Sequence, residues 1–125
     1  MKTMQIKDII KLHSKMIAAT GGASGVRDIG LVESALNRCH SSFGGQDLYP
    51  EIIQKISVVA YSIINNHGFI DGNKRIGIAV MLMLLRLNEL QVSYTQAELV
   101  NLGLGVASGE LKEQEIEKWI EQHMG

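Results

Sequence analysis

The sequence predicts an all-α protein, a single-domain bundle of about six helices carrying one short flap. Apolar residues recur at helical spacing along most of the chain. Strand-like alternation is slight, confined to Gln91-Val92-Ser93-Tyr94. With 125 residues, 46% of them hydrophobic, residues 1–125 can bury one core as one domain.

The first helix is expected over Met4 to Ala18, where Ile6, Ile9, Ile10, Leu12, Met16 and Ile17 fall close to helical spacing. Thr20-Gly21-Gly22-Ala23-Ser24-Gly25 breaks it. Asp28 is a natural N-cap for a second helix through Leu31, Val32, Ala35 and Leu36. Ser41 to Pro50, with Gly44 and Gly45, reads as irregular, and such segments often carry binding function. Pro50 suits the first turn of a third helix, whose apolar side holds Ile52, Ile53, Ile56, Val59, Ala60, Ile63 and Ile64. The helix from Ile76 to Leu90 is apolar nearly all round, which places it at the centre of a bundle. Thr95 and Glu98 form a capping-box pattern ahead of a fifth helix. Glu113 to Met124 is a last amphipathic helix with Ile116, Trp119 and Ile120 inward.

Composition excludes several classes. The formal net charge is −1, so nothing points to nucleic acid or an anionic membrane as a bulk partner. Cys39 is the single cysteine, which rules out an internal disulfide and a multi-cysteine zinc site; its default is a small core residue on an apolar helix. No apolar signal core opens the chain, and the longest apolar stretch, Ile76 to Leu85, is about half a membrane span. The expectation is a soluble, cytoplasmic protein. His13, His40 and His123 lack metal-ligand spacing and default to surface or helix-face positions. No P-loop and no eukaryotic-type kinase signature is present. Gly103 to Gly109 misses the dinucleotide-binding spacing and reads as a turn or as small residues for close packing.

The chemistry concentrates in His67-Gly68-Phe69-Ile70-Asp71-Gly72-Asn73-Lys74-Arg75. His67 ends one helix and suits a general base near neutral pH. Asp71 suits Mg²⁺, which in turn holds nucleotide phosphates. Gly72 lets backbone approach a phosphate. Asn73, Lys74 and Arg75 fall on the first turn of the next helix, where free N–H groups make an anion site. There Asn73 offers a side-chain amide, Lys74 a point charge and Arg75 a fork. Phe69 is expected to anchor the loop from inside. Each residue also has an ordinary structural reading: a capping histidine, an Asp-Gly turn, a solvated cationic face. Those readings must all hold together at one fixed spacing, and the functional one is the more economical.

This stretch strongly resembles the core motif of the Fic/Doc superfamily, His-x-Phe-x-Asp/Glu-Gly-Asn-Gly/Lys-Arg. Gly68 stands where many members carry Pro, a change expected to alter loop stiffness more than chemistry. Outside the motif, Arg27-Asp28-Ile29-Gly30-Leu31-Val32-Glu33-Ser34-Ala35-Leu36, Phe43-Gly44-Gly45, Leu48-Tyr49-Pro50 and Leu85-Arg86-Leu87-Asn88 resemble the death-on-curing (Doc) branch. Lys74 marks that branch, since typical Fic enzymes have Gly there and a second Arg where this chain has Ile78. The residues alone indicate a smaller, more cationic site.

The resemblance implies more. Asp71 would bind Mg²⁺, and Gly72, Asn73, Lys74 and Arg75 would hold the phosphates of an ATP. The nucleotide would be inverted, with its γ-phosphate facing His67. The product would be a phosphorylated Ser or Thr on a host protein, by class a translation factor, and the effect growth arrest. Ser41 to Pro50 matches the family's flap, where an acceptor segment can dock by strand addition. Arg27 and Asp28 could touch the site, though helix capping is the simpler reading. No Ser or Thr is followed by Glu four residues on, so the internal inhibitory segment of some Fic proteins is missing. A separate antitoxin protein is the implied partner. Two alternatives stay open: an AMP-transferase using the same residues, and a non-enzymatic binding module.

Overall fold

A computed structural model describes residues 1–125. Six α-helices follow in order: α1 (Ile6–Thr20), α2 (Ile29–Asn37), α3 (Ile52–Asn66), α4 (Asn73–Leu87), α5 (Gln96–Ser108) and α6 (Glu113–His123). A 3-10 turn, Arg38–His40, extends α2. Two short antiparallel strands, β1 (Ser42–Phe43) and β2 (Gln46–Asp47), pair Ser42 with Asp47 and Phe43 with Gln46. The all-α bundle and its flap are as expected.

Local sequence explains the helix boundaries. The Asp28 carboxylate accepts from the N–H groups of Gly30 and Leu31 and starts α2. Thr95 and Glu98 close a reciprocal capping box on α5, and Gly109 ends that helix at φ 85°. α3 begins at Ile52, not at Pro50, because the Gln54 side chain accepts from the Glu51 N–H and makes Glu51 the N-cap. Gln91–Tyr94 forms no strand; a lone bridge joins Val92 to Met124. Cys39 is buried as expected, but in the 3-10 turn rather than on a helix.

The core is one cluster of 21 buried residues to which all six helices contribute, joined by Met4, Cys39 and Phe69 from outside them. α3 and α4 pack together most extensively and form its centre. The approach is close because Gly77 carries no side chain: a Cβ there would run into Ile64 and lie 3.2 Å from the Ala60 carbonyl oxygen. Ile76, Val80, Met81, Leu84 and Leu85 of α4 are at most 1% exposed, so its long apolar sequence is accounted for by burial within the protein. No helix is long and apolar enough to cross a membrane. The nine-residue motif spans the connection between these two central helices and the first turn of α4, so the core itself fixes its two ends.

Candidate active site

His67 caps the C-terminus of α3 in the left-handed conformation, φ 53° and ψ 47°. A histidine tolerates that geometry better than most residues, but it must be held there. Arg27 does so, its Nε donating to the His67 carbonyl oxygen at 2.7 Å. Arg27 therefore touches the motif through its side chain, while the Asp28 side chain serves as a cap and its backbone N–H reaches the Gly68 carbonyl. The imidazole is left exposed.

The loop after His67 is sewn to the α1–α2 connection. The Gly68 carbonyl accepts from the N–H groups of Arg27 (2.9 Å) and Asp28 (3.0 Å), and Ile70 N–H donates to the Gly25 carbonyl (3.1 Å). Gly68 is buried, and a Cβ on it would lie 2.6 Å from Val32 Cγ2. The absence of Pro there thus reflects contact with α2, a packing constraint beyond loop stiffness. Phe69 points inward at 1% exposure, as expected.

His13 lies on a helix face, one of the two positions expected for it, but on the buried face of α1 rather than at the surface. It is 2% exposed, its ring stacks on Phe69 with centroids 4.0 Å apart, and its Nε2 lies 2.7 Å from the Asp71 carbonyl oxygen. The hydrogen bond satisfies the polar atom of an otherwise apolar face. A sequence signal existed: Ile9, His13 and Ile17 are spaced four apart, and all three are buried.

Asp71 sits at the turn into α4. Its carboxylate accepts from Ala23 N–H (3.0 Å) and Gly72 N–H (2.8 Å), with Arg75 Nη2 at 3.9 Å. Those two backbone donors, Ala23 first, hold the acid below the usual carboxylate range. Gly72 is the N-cap of α4 at φ 75°, a conformation that favours glycine. Lacking a side chain, it caps none of the N–H groups of Asn73, Lys74 and Arg75, the first three residues of α4.

Asn73 behaves differently from the phosphate-donating amide anticipated. Phe69 N–H donates to its Oδ1 and its Nδ2 donates to the Phe69 carbonyl, both at 3.0 Å. Its side chain closes the loop on itself, and its reach toward an anion is through its backbone N–H. Arg75 Nη1 donates to Thr20 Oγ1 (2.6 Å) and to the Gly21 carbonyl (2.9 Å). Its guanidinium thereby bridges the C-terminus of α1 and the motif.

His67, Asp71, Gly72, Asn73, Lys74 and Arg75 all line one cleft of about 400 Å³, closed by Ile64, Ile70 and Ala107. A larger cleft of about 620 Å³ lies around Arg86 and Tyr94 and contains no motif residue. The chemistry-bearing groups make the smaller cleft the candidate active site. It combines an exposed imidazole, an ionised carboxylate, two cations and a helix N-terminus. No group of three His, Cys, Asp or Glu side chains is placed to hold a metal ion. Asp71 alone, 48% exposed at its side chain, fits a Mg²⁺ that takes its remaining ligands from water and substrate phosphates.

Residues 3–85 match the model of the Fic/DOC family, more than half of the chain, and the protein belongs to that family. It is 32% identical over 114 residues to a protein named Protein kinase doc, from Escherichia phage P1, covering 89% of this chain and 86% of that one. It is 36% identical over 75 residues to one named Toxin Doc, from Mycolicibacterium smegmatis, covering 60% of this chain and 58% of that protein. The chain thus spans somewhat over half the length of the mycobacterial relative.

Proposed function

We propose that the protein is a Doc-type toxin that transfers the γ-phosphate of ATP to a Ser or Thr hydroxyl of a host protein. The observation that carries the reading is the convergence of His67, Asp71, Lys74 and Arg75 on one cleft at an uncapped helix N-terminus. The names of both relatives support it, one a toxin and the other a protein kinase.

In this reading His67 accepts the proton of the acceptor hydroxyl as its oxygen attacks the γ-phosphorus. The bond from that phosphorus to the β–γ bridging oxygen breaks, ADP leaves, and the proton stays on the imidazole until solvent removes it. Lys74, Arg75 and the N–H groups opening α4 hold the phosphates and the charge that develops on them. Asp71 would hold Mg²⁺, which supplies charge neutralisation between the phosphates when bound. Residues 1–125 would act as one domain. The exposed hairpin β1–β2 would receive an extended segment of the acceptor. A translation factor is the proposed acceptor class, growth arrest the outcome, and a separate antitoxin the regulator.

Labelling in a cell extract tests this, with ATP carrying the label at the α- or the γ-phosphate. Gamma label on one discrete protein is the expected result. Alpha label would replace the reading with AMP transfer, and label from neither would leave a binding module.

A further inference from the structure

Asp71 and Arg75 carry opposite charges four residues apart, a spacing at which side chains meet and pair. Arg75 Nη2 nevertheless stops 3.9 Å from Asp71 Oδ2, beyond hydrogen-bond length. A closed pair would quench both groups. It would leave neither a free carboxylate for Mg²⁺ nor a free guanidinium for phosphate. The loop after α1, which in the sequence reads only as a flexible break, keeps the two apart.

Thr20, the last residue of α1, anchors the arginine. Its hydroxyl donates its one hydrogen to the Met16 carbonyl at 2.8 Å, so toward Arg75 it can only accept. Arg75 Nη1 donates to that hydroxyl at 2.6 Å and to the Gly21 carbonyl at 2.9 Å. Both hydrogens of Nη1 are thereby spent on the end of α1, while Nη2 and Nε make no hydrogen bond and stay open to an anion. The carboxylate is held from the same loop. Ala23 N–H donates to Asp71 Oδ2, the oxygen that faces Arg75. Gly22 passes between the two charges at φ 115°, and a Cβ on it would lie 2.6 Å from Asp71 Oδ2 and 2.9 Å from Arg75 Nη2. We propose that Thr20 is a positioning residue, whose hydroxyl holds Arg75 off Asp71 and open to the phosphates of the substrate. The proposal rests on the phosphotransfer reading above. Thr20 does not touch the nucleotide; it acts through Arg75.

Calorimetric titration of the full chain with inorganic tripolyphosphate tests it, alongside gamma-label transfer. Thr20→Val keeps the size of the side chain and loses the hydroxyl, whereas Thr20→Ser keeps the hydroxyl. Thr20 is exposed, so both variants should unfold at the wild-type denaturant midpoint. Thr20→Val is expected to weaken tripolyphosphate binding about tenfold, the size of one hydrogen bond to a charged group, and to slow transfer. Thr20→Ser is expected to restore both, which a hydroxyl of no consequence would not do. In the Arg75→Ala background, Thr20→Val should weaken binding no further, because its effect runs through the arginine. Thr20→Val that binds like wild type, Thr20→Ser that fails to rescue, or losses that add in the double variant would each overturn the positioning role; gamma label would still uphold phosphotransfer. A wild-type chain that binds no tripolyphosphate and transfers no gamma label would take down the phosphotransfer reading and this proposal with it.

Discussion

The motif loop, residues 67–75, and the flap hairpin β1–β2 are two short connections held in opposite ways. The motif loop is anchored from inside. Phe69 is buried, His13 stacks on it, Asn73 clasps its backbone at both ends, and the α1–α2 connection is hydrogen-bonded along it. The flap is anchored only at its base, where Lys55 meets Asp47 at 2.6 Å and Arg38 Nη2 donates to the Tyr49 hydroxyl at 3.3 Å. Its tip turns through Gly44 and Gly45 at φ 60° and 79°, and Phe43 beside the turn is 82% exposed. Chemistry that depends on fixed distances needs the first kind of support. An edge that receives a partner chain works with the second.

Substitutions should expose that contrast, the largest effect first. Phe69→Ala removes the loop's buried anchor and should destabilise the protein by about 3–5 kcal/mol, read by denaturant unfolding. Asn73→Ala leaves the Phe69 N–H and carbonyl without partners and should cost about 1–3 kcal/mol. Phosphotransfer should fall with it even at temperatures where the fold persists. Phe43→Ala should change stability by less than about 0.5 kcal/mol, yet raise KM for the acceptor protein with little change in kcat. A Phe43→Ala variant that unfolds as readily as Phe69→Ala would abolish the distinction.

The smallest effect concerns acid. Asp71 and Asp47 both titrate below their ordinary value of 3.8, for different reasons. Backbone N–H groups of Ala23 and Gly72 hold Asp71 down, whereas the Lys55 ammonium is the first cause at Asp47. A lowered folded value means that each carboxylate contributes stability above pH 3.8, lost as the pH falls through the lower folded value. Added salt screens the exposed ion pair more than fixed N–H donors. Carboxyl NMR titrations in high salt should therefore move Asp47 back toward 3.8 further than Asp71.

What the sequence made legible follows the same division. Helical spacing, the Asp28 cap, the Thr95–Glu98 box and the inward Phe69 are local signals, and each appears in the fold. The roles of His13, Arg27 and Gly68 depend on contacts between distant segments. His13 meets Asp71 across 58 positions and Arg27 meets His67 across 40, separations over which periodicity carries no information. Asn73 was legible as a motif residue but not as a clasp, because an amide offers the same donors to a phosphate and to backbone. Gly103 was legible as a close-packing residue, though not which side chain packs there; it is Lys74.

The central claim is that this rigid loop presents His67 as the base for phosphotransfer, and His67→Ala tests it most directly. The exposed imidazole contributes little to stability, so the variant should fold and bind ATP like wild type. Gamma-phosphate transfer to the acceptor should fall by about 10²–10⁴-fold. A His67→Ala protein that transfers phosphate at the wild-type rate would contradict the account.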